Sequence, residues 1–289
     1  MKIAVMADIH SNHIALERCI SEAEQKGAEE FLFLGDYLGE LAYPERTLEV
    51  LKELKEKYPC TFINGNKEYY WINRKNGKNT DWQWEAGTSG SGMLKYTYDR
   101  LTSEQIQAFE ELPISKVMKY EGMPDFIICH GSPFKVNESL REDYDYIDDL
   151  TRKLETELTI CAHFHVQSEY TRNGKCVVNP GSVGVPSRSD GKTQFMMLYG
   201  DFGVWKTEFI TLDYDVEAAI REMDEEKLSL QAPGWYRITK AVLKGKSITH
   251  ASVLVKATEL CRASEGEADW RHLPEKYWNM ALNEFGYEV

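Results

Sequence analysis

The chain has 289 residues, and its 47 acidic against 34 basic side chains leave a net charge of -13, so the surface repels polyanions and broad binding to nucleic acid or anionic membrane is not expected. Its length is ample for a full core, or for a main domain with an appendage. The six cysteines (Cys19, Cys60, Cys129, Cys161, Cys176, Cys261) lack close pairing, and the apolar start reaches Asp8 too soon for a signal peptide, so a reduced, cytoplasmic, soluble protein is expected.

Apolar runs alternate with amphipathic stretches along the first two thirds of the chain, the pattern of an α/β layer fold. Residues 2–7 predict a buried strand and 13–27 a helix stopped by Gly27; 31–36 predict a second strand and 45–57 a helix with Leu48, Leu51 and Leu54 on one face. Further strands are expected at 60–65, 125–131 and 158–165. The segment of about 70–100 reads as an irregular insertion rich in aromatics and glycine. After it, Asn173-Gly174 marks the turn of one hairpin, and the runs QFMMLYGD and VWKTEFITL form a second. From Tyr214 the pattern becomes helical, with helices expected at 215–227, 235–244, 248–263 and 274–285. A boundary is placed between 1–212 and a C-terminal helical extension, 213–289.

The predicted strands end at Asp8, Asp36, Asn66, His130 and the pair His163/His165. Ligand sites of open α/β sheets gather at the carboxyl ends of strands. Turn preference alone accounts for Asp36 or Asn66, but not for the histidines. His163 and His165 are two apart, which places them on one face if the strand continues through them. Taken together, Asp8, His10, Asp36, Asn66, His130, His163 and His165 offer oxygen and imidazole ligands without thiolate, a set suited to Mn, Fe or Zn. Seven ligands exceed one tetrahedral site but fit two adjacent ions sharing a carboxylate. Such a pair clamps a phosphoryl group and generates hydroxide from a bridging water. With one hydroxide and two carboxylates it keeps a local charge of roughly +1, which draws a phosphate into an acidic protein.

The blocks Asp8-Ile9-His10, Gly35-Asp36-Tyr37-Leu38-Gly39, Gly65-Asn66-Lys67-Glu68, His130-Gly131 and His163-Phe164-His165 resemble, in order and spacing, those of the metallophosphoesterases, the calcineurin-like superfamily, over residues 1 to about 185. The resemblance implies a sandwich of two mixed β-sheets flanked by helices. It implies that Asp8, His10, Asp36 and His165 hold one ion and Asp36, Asn66, His130 and His163 the other, with divalent or mixed-valence metals. Where many members follow the ligand Asn with His-Asp, Lys67-Glu68 stand here. A lysine stabilises phosphate charge but donates a proton poorly at neutral pH, so esters with basic leaving groups should react slowly.

Asn66 and Lys67 are the expected catalytic groups, with His13, one turn beyond His10, as a candidate for the missing acid. Lys67, Tyr70 and Arg188 are candidate substrate contacts, Tyr70 from an aromatic run that either packs as a satellite core or stacks a base. The NPGSVG loop, 179–184, offers backbone N–H groups to phosphate or is a plain turn. His250 and His272 read as surface or packing residues. The expected function is hydrolysis of phosphodiesters or phosphoanhydrides of small phosphorylated molecules, a nucleotide or dinucleoside polyphosphate among them. The alternatives are a phosphomonoesterase or protein phosphatase, and a non-catalytic metal-binding scaffold. Oligomeric state and the choice of metal stay open.

Overall fold

The computed structural model describes residues 1–78 and 81–287. In chain order its elements are β1 (Lys2–Met6), α1 (His13–Gln25), β2 (Glu30–Phe33), α2 (Pro44–Lys57), β3 (Cys60–Phe62), α3 (Asn66–Lys75), α4 (Gly92–Tyr98), α5 (Ser103–Glu110), β4 (Ser115–Met118) and β5 (Phe126–Cys129). There follow α6 (Ile147–Lys153), β6 (Leu158–Ile160), β7 (Gln167–Arg172), β8 (Lys175–Pro180), β9 (Thr193–Asp201), β10 (Val204–Leu212), α7 (Val216–Glu225), α8 (Leu228–Gln231), α9 (Pro233–Leu243), α10 (His250–Glu265), a 3-10 turn (Trp270–His272) and α11 (Glu275–Glu284).

Two mixed five-stranded sheets form, in the orders β10-β9-β1-β2-β3 and β4-β5-β6-β8-β7. In the first, β1, β2 and β3 run parallel and β9 and β10 are antiparallel to their neighbours. In the second, β5, β6 and β8 run parallel, and β4 and β7 close the two edges antiparallel. Side chains alternate along a strand, so each sheet has two faces to cover. Ile3, Val5, Leu32 and Leu198 of the first sheet meet Phe126, Ile128, Ile160 and Val178 of the second in the shared interior. The opposite face of the first sheet, with Ala4, Met6, Phe31 and Phe33, is covered by Leu16, Cys19, Leu51 and Trp71 from helices. This is the two-sheet sandwich flanked by helices that the resemblance implied.

The helices after Leu212 build their own apolar core around Met223, Ile238, Val253, Tyr277 and Trp278, and it continues into Leu41, Ala42, Met93 and Val185 of the sandwich. Among the described residues no helix is long and apolar enough to cross a membrane. All six cysteines are unpaired thiols.

Three expectations need correction. The strand expected at 158–165 stops at Ile160, because His163 and His165 take left-handed backbone angles (φ 77° and 56°) that no strand accommodates. The segment 70–100 is less irregular than its composition suggests, holding the end of α3 and all of α4; residues 79–80 of it lie outside the described residues. Strand β4 was not anticipated, since Lys116 and Val117 are exposed on a sheet edge and only Met118 is buried.

Candidate metal centre and its surroundings

Five connections leave the carboxyl ends of β1, β2, β3, β5 and β6 and deliver Asp8, His10, Asp36, Asn66, His130, His163 and His165 to one edge of the sandwich. Asp8, His10, Asp36, His163 and His165 all have positive φ, between 52° and 77°. Each non-glycine residue in that region costs roughly 1–2 kcal/mol. Such strain persists only where surrounding bonds over-determine it, and here they do. Asp8 N–H donates to Gly35 O and His10 N–H to Asp36 O, at 3.1 and 3.0 Å. The Glu68 carboxylate accepts from the N–H groups of Asp36, Tyr37 and Gly65, tying the β2 and β3 connections together. Those two loops touch at glycine: a Cβ on Gly35 would lie 2.3 Å from Gly65 N, and one on Gly65 would lie 2.2 Å from Asp36 Oδ1.

The cluster is buried and short of hydrogen. His130 and His165 donate from Nδ1 to the carbonyls of Leu34 and Val185, at 2.7 and 3.0 Å, which turns each Nε2 inward. His10 Nδ1 faces Glu40 Oε2 at 2.8 Å. Yet His10 Nε2 and His165 Nε2 are 3.2 Å apart, and His130 Nε2 is 3.0 Å from Asn66 Oδ1. Each of these contacts brings two electron-rich atoms together and is satisfied by a shared proton or by a cation between them. Asp8 Oδ1 is wholly buried, finds no hydrogen-bond donor among the described residues, and lies 3.3, 3.8 and 3.9 Å from the Nε2 atoms of His165, His10 and His130. An unsatisfied buried carboxylate oxygen among imidazole lone pairs fits a metal cation.

The ligand atoms of Asp8, His10 and His165 fall within 4.8 Å of one another, and so do those of Asp8, Asp36 and His130. Asp36 spans both halves, with Oδ2 3.9 Å from His10 Nε2 and Oδ1 3.5 Å from His130 Nε2. Asp8 thus reaches both groups, where the resemblance assigned it to one. The His163 ring stands edge-on to His130, centroids 5.3 Å apart, and the backbone N–H of His163 donates to Asp8 Oδ2 at 3.1 Å.

Electrostatics follow the same division. Burial works against the Asp8 carboxylate, but His165, His130 and His10 outweigh it and hold the group well below the usual range. Burial pushes Asp36 up to about 6, with Asp8 adding to the effect and His10 opposing it. Burial and the neighbouring His130 bring His163 down to about 3, so its ring is neutral and able to ligate. For His165, burial is outweighed by Asp8 and its pKa is raised.

Lys67 is not the solvated helix-start residue that its position allows. Its backbone N–H donates to Asp36 Oδ1 at 2.8 Å, and its Nζ lies 2.6 Å from Glu40 Oε1. Burial lowers the pKa of Lys67, but Glu40 and Asp36 raise it further, so the ammonium is secured. Burial opposes the Glu40 carboxylate, while Lys67 and His10 hold it well below its ordinary range. Trp235 of α9 donates from Nε1 to the same Glu40 oxygen at 3.3 Å, and the Lys67 ammonium sits 5.2 Å from the centre of the Trp235 ring. Glu40 therefore links a candidate ligand, a candidate phosphate contact and the C-terminal helices.

The structure does not bring His13 to the cluster. Its Nε2 meets Glu222 of α7 at 2.8 Å, and Glu222 also pairs with Arg46. Arg188 is exposed on its loop. The NPGSVG loop spends its donors on the β1 connection: Val183 N–H goes to Ala7 O, Gly184 N–H and Ser182 Oγ–H to Asp8 O. It braces Asp8 rather than presenting N–H groups to phosphate. Trp71, Trp82 and Trp84 are core residues, whereas Tyr70 lines a recess beside Lys67. His250 packs at 4.5 Å on the Trp235 ring and pairs with Thr239 Oγ1 at 2.9 Å.

Sequence reasoning missed Glu40 and Trp235. Glu40 directly follows the Gly35–Gly39 block, and the one available signal was an acidic residue there with no helix or turn to serve.

A calcineurin-like phosphoesterase superfamily domain matches residues 1–201, well over half of the 289. The chain belongs to the calcineurin-like phosphoesterase superfamily. This phosphoesterase is similar to an uncharacterized protein of Methanocaldococcus jannaschii, with 24% identity over 250 residues, 81% of this chain and 94% of that one. Among solved structures, a hypothetical protein from Pyrococcus horikoshii OT3 superposes with a TM-score of 0.70 at 25% identity, covering 85% of this chain and 99% of that chain. A metallophosphoesterase from Sphaerobacter thermophilus gives 0.63 at 21% identity, covering 78% and 94%. The phosphoesterase is accordingly a metal-dependent hydrolase of phosphoesters, and its Asp/His groups fit the divalent ions that the superfamily implies.

Proposed function

We propose that the protein is a dinuclear phosphodiesterase acting on small organic phosphates, nucleotides among them. The observation that carries this is the convergence of imidazole Nε2 and carboxylate oxygen atoms in two groups that share Asp8, with Asp36 reaching toward both. In this reading Asp8, His10, Asp36 and His165 hold one Mn, Fe or Zn ion and Asp36, Asn66, His130 and His163 the other. When bound, the ions supply positive charge for the phosphoryl oxygens and make a coordinated water acid enough to ionise near neutral pH.

The chain's own groups decide which esters react. Lys67, kept cationic by Glu40, offers positive charge to the phosphate but holds its protons too tightly to act as an acid at neutral pH. Asn66 offers an amide beside it. With His13 committed to Glu222, the leaving group departs without a dedicated acid, which favours aryl esters and phosphoanhydrides over alkyl esters. Six free thiols support a reducing compartment, the cytoplasm.

The test is the ratio of rates on an aryl phosphodiester and the matching aryl monoester, with Mn(II) restored to chelator-stripped protein. A ratio above one supports the diesterase. A ratio far below one assigns the protein to the monoesterases.

A further inference from the structure

Beside the candidate metal centre a small recess opens between the sandwich and the C-terminal helices, with a cavity of about 50 Å³. Gly39 and Lys67 form the side next to His10, and Tyr70 and Met93 another. The remaining walls are Trp235 of α9, Leu254 of α10, Trp270 of the 3-10 turn and Trp278 of α11. These last four residues lie beyond the 1–201 matched to the superfamily domain, so one side of the recess is built by helices outside that domain.

Its walls are rigid and nearly all apolar. Trp235 stands edge-on to Trp278 with centroids 5.8 Å apart, and Trp270 edge-on to Trp82 at 5.0 Å. The polar atom of Ser89 is already used, donating to Glu275 and accepting from Gly234 N–H. Trp278 differs. It is fully buried, and its indole N–H has no partner among the described residues. Trp82 Nε1 is likewise without an acceptor among the described residues, but of the two only Trp278 lines the recess, where a ligand can supply one.

We propose that this recess receives one edge of a flat aromatic ring esterified to the substrate phosphate, and that an acceptor on the ring edge takes the Trp278 N–H. The proposal rests on the phosphodiesterase reading. Its geometry follows from Lys67, which contacts Asp36 through its backbone and lines the recess through its side chain. A phosphate held at the metals and Lys67 therefore leaves its ester arm at the mouth of the recess. The small volume excludes a peptide arm, and the apolar walls disfavour a charged or sugar-like one. The helices from α9 to α11 thereby act as a specificity cap.

Leu254→Phe narrows the recess from a half-buried position on α10. Two diesters with the same nitrophenolate leaving group, one carrying a second aryl arm and one a methyl arm, are compared in Mn(II)-loaded protein. The wild type is expected to favour the diaryl ester by about tenfold in kcat/KM, and the variant to bring that ratio close to one. Trp278→Phe should weaken a pyridyl arm against a phenyl arm. Independently of turnover, 4-nitrophenylphosphonate, a non-hydrolysable probe with no sugar between ring and phosphorus, added to Mn(II)-loaded protein should quench tryptophan fluorescence, less so in Leu254→Phe. Turnover of both esters with the same ratio in wild type and both variants overturns the recess. Absence of turnover with metal bound overturns the diesterase reading instead, and the fluorescence titration then judges the recess: no quenching overturns it.

Discussion

The Asp/His edge and the tryptophan recess meet at Lys67, yet they are built in opposite ways. The edge is assembled from five loops of both sheets, with polar side chains on strained backbone and a buried carboxylate oxygen that has no donor among the described residues. The recess is made mostly by helices, from residue types that fill any core. Chemistry is concentrated in the first and selectivity in the second. Glu40 is the joint, since it touches His10, Lys67 and Trp235 at once.

If the division is real, damage on the two sides should differ in kind. Asp36→Asn removes the carboxylate that spans both groups and should lower kcat by about three orders of magnitude with the fold intact, as steady-state kinetics and circular dichroism would show. Glu40→Gln strikes the joint. It leaves the Lys67 ammonium buried without its counter-charge, so a loss of about 3 kcal/mol in denaturant unfolding is expected, together with a ten- to hundredfold fall in metal affinity or activity, roughly the effect of losing a ligand's outer partner. Substitutions in the recess should instead move the preference between ester arms.

Smaller effects sharpen the contrast. His13→Ala should leave the pH-rate profile unchanged while costing about 2 kcal/mol of stability through the lost Glu222 contact, read from urea midpoints. A displaced acidic limb in the profile would restore His13 as the proton donor. His250 belongs to the cap, and burial brings its pKa down to about 3. Between that value and the ordinary 6.5 the unfolded chain binds the extra proton, so stability falls as pH drops from 6.5 toward 3. His250→Gln should flatten that slope, and an unaltered slope would show that the ring is protonated within the fold.

The same contrast explains what was legible in the amino-acid sequence. Asp8, His130 and the His163/His165 pair interrupt apolar runs where nothing in packing asks for them, and their repeated position after strands marks an edge before any coordinate is known. The C-terminal helices were legible as elements, through their apolar periodicity. Their relation to the site was not. Glu40 and Trp235 are separated by 195 residues, and neither type signals its partner; Lys67 looks like any lysine at a helix start until Glu40 is found opposite. The strand expected through His165 failed for a related reason: left-handed backbone at His163 is imposed by the loops around it, not by local preference.

The central claim is a two-ion centre that hydrolyses phosphoesters. Its most direct test is calorimetric titration of Mn(II) into chelator-stripped protein, with aryl phosphodiester turnover followed at each addition. The account predicts two ions per chain and activity that follows occupancy of the second. Saturation at one ion, or two bound ions with no turnover of diester or monoester, would contradict it.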